Sequence, residues 1–149
     1  MRLKIAIGTD HRGFELKAFL LKHLSFGLYS IEWFDQGCYT AERTDYPIYA
    51  HKVAQLVQSQ QVDLGILACG TGVGMAITAN RYKNILAGLV WNETIARLNK
   101  EDDNINILVL PADYLTYYQA FEYITIWLSA EFKGGRYASR IAMIDADKS

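Results

Sequence analysis

The sequence predicts an α/β protein, a three-layer α/β/α sandwich. A five-stranded parallel, Rossmann-like sheet carries helices on both faces, and an extra helix ends the chain. Three observations carry this. Short apolar runs alternate with longer segments of helical periodicity along the chain. Strands that alternate with helices are joined by crossovers, which make the sheet parallel and cover both its faces. Asp10-His11 and Cys69-Gly70 each stand at the end of an apolar run. They therefore fall at the carboxyl edge, where such sheets hold their sites.

The elements follow in order. Residues 3–8 are apolar, stop at Thr9-Asp10-His11, and read as the first strand. Residues 14–24 set Phe14, Ala18 and Leu21, with Leu20 and Leu24, at helical spacing. Residues 29–34 are rich in aromatic and β-branched side chains and read as the second strand. Residues 35–45 are polar, contain Gly37, and read as a loop. Pro47 stands where the first turn of a helix accepts proline, and residues 48–58 continue that helix. Residues 64–68 are the third strand, followed by a glycine-rich turn and a helix ending near Arg81. Residues 85–90 are the fourth strand, and Asn92 can cap the next helix through Ile95 and Leu98. Residues 105–110 are the fifth strand, stopped by Pro111. A long aromatic helix spans 115–128, Gly134-Gly135 break the chain, and 136–144 form the final helix. No linker, repeat or low-complexity segment interrupts this pattern, so the 149 residues read as one domain.

Composition narrows the function classes. Hydrophobic residues make up 51% and charged residues 21%, as in ordinary globular proteins. A net charge of −1 argues against a broad nucleic-acid surface. No apolar run reaches the length of a membrane span. Residues 1–7 are too short and too soon interrupted to act as a signal peptide. The two cysteines, at 38 and 69, provide neither a disulfide framework nor a zinc spacing, and Cys38 reads as structural. A soluble, cytoplasmic protein with no nucleic-acid or membrane partner is expected. Ten tyrosines, several at 114–123, suit core packing or an oligomer surface.

The chemistry centres on Ala68-Cys69-Gly70-Thr71-Gly72-Val73-Gly74-Met75. A lone cysteine is usually a small buried hydrophobe. Here it lies between a strand and a glycine turn that opens a helix. Backbone N–H groups in such a turn, with the helix dipole, can hold an anion or an enolate-like oxygen. The same field is expected to favour thiolate over thiol. The glycines read G-x-G-x-G after the third strand, which is not a dinucleotide fingerprint, and no phosphate-loop lysine is present. Asp10 suits a helix cap, and His11 beside it can hydrogen-bond an anion. Arg136 and Arg140 are four apart on one helix face. They read either as solvated surface or as an anion site at a helix opened by two glycines.

Four blocks together resemble the ribose-5-phosphate isomerase B family, which includes the subunits of galactose-6-phosphate isomerase. They are Ile5-Ala6-Ile7-Gly8-Thr9-Asp10-His11-Arg12-Gly13-Phe14, Arg43-Thr44-Asp45-Tyr46-Pro47, Gly65 through Met75, and Gly134-Gly135-Arg136. The resemblance implies an aldose–ketose isomerase that uses no metal and no other cofactor. It interconverts ribose 5-phosphate and ribulose 5-phosphate through a cis-enediolate. It implies that Cys69 is the base that moves a proton between C2 and C1. Thr71 would assist ring opening. Backbone N–H groups of Gly70, Gly72, Val73 and Gly74 would stabilise the enediolate. Asp10, Tyr46 and Asn80 would line the sugar, and His11, Arg136 and Arg140 would bind phosphate. It further implies a homodimer, or a tetramer or hetero-oligomer, with each site drawing on two chains.

The sequence departs from the family pattern at positions that belong to the site. Lys100-Glu101-Asp102-Asp103-Asn104-Ile105-Asn106 stands where the family has Arg-Glu-His-Asn-Asp-x-Asn. Asp102 thus replaces the ring-opening histidine given to the neighbouring subunit, and Asp103 replaces a substrate-holding asparagine. A histidine works as acid and base near neutral pH, whereas an ordinary aspartate is a poor proton donor there. Asp113 replaces an arginine placed on phosphate, and Tyr137 a histidine. Carboxylates at 102, 103 and 113 would repel a phosphate. Asp113 turning away after Pro111, or a cation at Arg97 or Lys100, would relieve that repulsion. Three readings stay open: an active isomerase, a weak or inactive sugar-phosphate-binding homologue, and one subunit of a hetero-oligomeric isomerase.

Overall fold

The structure is a computed structural model and describes residues 1–146. Six strands form one sheet: β1 (Arg2–Thr9), β2 (Ser25–Phe26), β3 (Tyr29–Asp35), β4 (Leu64–Cys69), β5 (Ala87–Leu89) and β6 (Ile107–Pro111). Six α-helices accompany them: α1 (Phe14–Leu21), α2 (Tyr46–Gln58), α3 (Val73–Ala79), α4 (Glu93–Glu101), α5 (Tyr117–Ser129) and α6 (Arg136–Ala146). The strand order is β2-β3-β1-β4-β6-β5, and every neighbouring pair is parallel except β2–β3. Five parallel strands are therefore as expected, and the sixth is a correction. Ser25–Phe26 folds back on β3 through Gly27, whose φ is 59°. Two residues are too few to leave a period in the sequence.

Local chemistry explains most boundaries. Asn92 caps α4 by accepting the Ile95 N–H at 2.8 Å. Thr116 and Gln119 form a reciprocal capping box that starts α5 at Tyr117, two residues later than expected. Pro47 sits in the first turn of α2. The last strand begins at Ile107 rather than at 105. The Asn106 side chain instead clamps the chain before β5, taking the Leu86 N–H and donating to the Asn84 carbonyl.

Alternation along the central strands builds two cores. Ile5, Ile7, Ile66, Leu108 and Leu110 face Leu16 and Leu20 of α1 and Ile124 and Trp127 of α5. Ala6, Leu67, Cys69, Ile107 and Val109 face Ala50 and Val53 of α2 and Met75 and Ala79 of α3. α6 buries no residue, so it is an appended helix. The sheet order turns back between β1 and β4. β1 connects onward to β3 on one side, while β4 lies against its other side. That switch point puts the residues after β1 and β4 beside one crevice.

One buried charge holds the loop beside it. Lys17 is 3% exposed, and its Nζ donates to both Asp35 carboxylate oxygens at 2.8 and 3.0 Å. Asp35 Oδ1 also takes the Gly37 N–H at 2.9 Å. Lys17→Ala should cost about 2–3 kcal/mol, below a fully dry pair because Asp35 keeps contact with water. Urea unfolding measures it; a change within 0.5 kcal/mol, roughly the scatter of surface substitutions, would refute the anchor.

Candidate active site

β4 delivers Cys69 to the switch point, where its backbone lies opposite Pro111 of β6. The chain then turns through Gly70, Thr71 and Gly72 into α3. Gly72 has a φ of 78°, and a Cβ there would come within 2.5 Å of Leu89 Cδ1. Glycine is thus needed twice, for the left-handed backbone and for the space. Thr71 Oγ1 accepts the Val73 N–H at 3.3 Å and stiffens the turn. Tyr46, the first residue of α2, lies with its ring against Gly74, where a Cβ would overlap its Cε1 and Cζ atoms.

Cys69 is 5% exposed. Its burial, the largest influence, pushes the thiol pKa up, and the Asp10 carboxylate adds to that. Backbone N–H groups of Met75, Gly72 and Thr71 pull it down without prevailing. The expectation of a stabilised thiolate is therefore corrected: the amide cradle exists, but desolvation outweighs it. Asp10 is 6% exposed and accepts the Arg12 N–H at 3.0 Å. It is the helix cap that its type suggests and a wall of the crevice as well.

The crevice has a volume of about 490 Å³. Asp10, Tyr46, Cys69, Gly70, Thr71, Val73 and Gly74, all expected in the site, line it together. Gly72 supports the turn behind them. His11 lies next in sequence to Asp10 without lining the crevice, and its Nδ1 accepts the Thr44 N–H at 3.2 Å. In the neutral ring that bond leaves the proton on Nε2 as a donor.

The remaining expected residues lie elsewhere on this chain. The Asn80 side chain bonds both backbone groups of Ala87, at 2.8 and 2.9 Å. With Asp103 it lines a second groove of about 380 Å³ beside Gly88 and Asn99. Asp102 ends α4 and pairs with Lys133 Nζ at 3.2 Å. Arg136 and Arg140 both lie over the Tyr137 ring, with Arg136 Nη2 donating to its hydroxyl at 3.1 Å. None of these five lines the Cys69 crevice of its own chain.

Two further charged residues line it: Arg12, to which the sequence reading assigned no role, and Asp113, which stands where the family resemblance implies an arginine on phosphate. Arg12 and Asp113 form an ion pair, Nη1 to Oδ2, at 2.5 Å. Asp113 does not turn away after Pro111. Arg97 is committed to Glu101 at 2.8 Å, and Lys100 lies over the Trp127 ring, so neither supplies a cation to this crevice. Arg12 directly follows Asp10-His11, and that adjacency was the available signal.

Fold and site together define a doubly wound α/β protein with a small-molecule crevice at its switch point, floored by a buried cysteine. The family described as Ribose/Galactose Isomerase matches residues 5–144. Ribose-5-phosphate isomerase B of Escherichia coli strain K12 is 39% identical over 143 residues, covering 96% of this chain and 95% of its own. The crystal structure of a ribose 5-phosphate isomerase from Thermotoga maritima superposes with a TM-score of 0.89 at 45% identity, covering 96% of this chain and 97% of that one. A ribose-5-phosphate isomerase B from Mycoplasma genitalium, solved with bound ribulose-5-phosphate, gives 0.87 at 38% identity, covering 95% and 93%. This chain belongs to the ribose/galactose isomerase family.

Proposed function

We propose that this protein interconverts ribose 5-phosphate and ribulose 5-phosphate, with Cys69 as the base. The observation that carries the reading is Cys69 under the Thr71, Gly72 and Met75 amides, in a crevice shared with Asp10 and Tyr46. The Mycoplasma genitalium relative, which holds ribulose-5-phosphate, supports the substrate class. Thr71 assists opening of the sugar ring. The Cys69 thiolate then takes the C2 proton, and the electron pair moves into a C1–C2 double bond. The carbonyl oxygen becomes an oxyanion of the cis-enediolate, held by N–H groups of the glycine turn. Cys69 returns the proton to C1 as the C2 hydroxyl passes its own proton to the C1 oxyanion, leaving the ketose. Burial suits this cycle, because a thiol with a raised pKa returns its proton readily.

The site is completed by a second copy. Val73 and Ile77 line the crevice while 49% and 54% exposed, which suits a neighbouring protomer at the rim. Asp102 and Asp103 of that neighbour are then the groups that meet the sugar. Two buried free cysteines, Cys38 and Cys69, fit a reducing cytoplasm. Among the described residues, no helix is long and apolar enough to cross a membrane.

An isomerase assay on the purified chain, with ribose 5-phosphate, allose 6-phosphate and galactose 6-phosphate offered separately, tests the reading. Turnover of ribose 5-phosphate is the expected result. Thermal stabilisation by a sugar phosphate without turnover would replace it with a binding role. Asp102→His, which restores a proton donor near neutral pH, should raise kcat/KM by about 10²-fold, the low end of general-acid effects. If that change, alone or with Asp103→Asn, raises nothing, position 102 takes no part in ring opening.

A further inference from the structure

Among the described residues that line the Cys69 crevice, Arg12 is the cation, while Asp10 and Asp113 are acids. On its own chain, Arg12 is therefore the lining group able to offset the charge of a phosphate entering this crevice. His11, Arg136 and Arg140, the phosphate ligands expected from the sequence, do not line the crevice of their own chain. Two short 3-10 turns, His11–Gly13 after β1 and Ala112–Tyr114 after β6, bring Arg12 and Asp113 together. Both pack on Gly70, where a Cβ would lie 2.7 Å from Arg12 Cδ and 2.8 Å from Asp113 Oδ2. The Asp113 N–H also donates to the Gly70 carbonyl at 3.0 Å. The pair is thus built onto the residue that follows Cys69. A guanidinium has five N–H donors in a planar fork suited to phosphate, and the contact with Asp113 runs through Nη1. The Arg12 side chain is 57% exposed, so a ligand can reach it.

We propose that Arg12 recognises the phosphate of the substrate and that Asp113 is a built-in competitor for the same guanidinium, setting how tightly phosphate is held. The proposal rests on the sugar-phosphate isomerase reading. It makes the two residues of one ion pair act in opposite directions. Arg12→Met removes the donor and should weaken ribose 5-phosphate binding about ten- to hundredfold, the range of hydrogen bonds to charged groups. Asp113→Asn frees the donor and should tighten binding by about two- to fivefold.

The test is calorimetry on the full chain in the Cys69→Ser background, which keeps the sugar from being converted. Ribose 5-phosphate, inorganic phosphate and ribose are titrated separately. Phosphate-bearing ligands should follow the two opposite shifts, while ribose should bind equally to every variant. In the Arg12→Met background, Asp113→Asn should lose its tightening. The proposal is overturned if Arg12→Met leaves phosphate binding unchanged, or if both substitutions weaken it, as a purely structural ion pair would. Full tightening by Asp113→Asn without Arg12 would also overturn it. Binding is read without turnover, so a wild-type chain that fails the isomerase assay sinks the isomerase reading and leaves Arg12 to be judged separately.

Discussion

Replacing Cys69 with serine should lower kcat on ribose 5-phosphate by about 10²–10⁴-fold, the range that a positioned general base contributes. The fold should survive, because serine fits the space and the turn around it is set by Gly72 and Thr71. A second measurement ties the loss to the thiol. Burial raises its pKa above the ordinary value, so the thiolate that takes the C2 proton is scarce at neutral pH. Activity of the wild-type chain should therefore climb with pH through neutrality and level off only beyond the ordinary thiol range, roughly 8.5. Stability runs the other way. The native thiol holds its proton more tightly than the unfolded one. That contribution is fully present below the unfolded pKa and is lost as pH rises through the folded value. The serine variant should lack both the alkaline rise in rate and this part of the alkaline loss of stability. A serine variant within about tenfold of the wild-type rate, below the range of a positioned general base, would remove Cys69 from the mechanism.

The elements that place the site were legible because their signals are local. An apolar run into Cys69, a glycine turn, Pro47 and Asn92 each act through neighbours within a few residues. The carboxyl-edge position of Asp10 and Cys69 followed from alternating strands and helices alone. What escaped depends on distance or on balance. Arg12 meets Asp113 across 101 residues, and Asp102 meets Lys133 across 31, so no local pattern announces either pair. The thiol shift is a competition between amides that the sequence displays and burial that only packing decides. Asn80 matched the site pattern, yet its amide closes the connection to Ala87, a role that requires β5 to be in place.

Gly72→Ala should disable the protein more broadly than any change confined to the crevice. Alanine at a φ of 78° costs about 1–2 kcal/mol in backbone strain. Its methyl would also lie 2.5 Å from Leu89 Cδ1 and 3.2 Å from Val109 Cγ1, and forcing such overlap costs about 1–3 kcal/mol more. The sum, about 2–5 kcal/mol, is a large share of the stability of a small domain. Leu89 and Val109 belong to β5 and β6, so the sheet resists and the turn is the part that shifts. Gly72 and Thr71 carry two of the N–H groups that act on Cys69, and misplacing them by about 1 Å should cost another 10²-fold in kcat. Gly134→Ala is the matched control. It has a φ of 67° with nothing within 4 Å of the added methyl, so it should cost the backbone strain alone. Urea unfolding and kcat measured on both variants separate the terms. If Gly72→Ala loses no more stability than Gly134→Ala and keeps its rate, then the turn tolerates a side chain, and its close fit against Leu89 is not what holds the amides over Cys69.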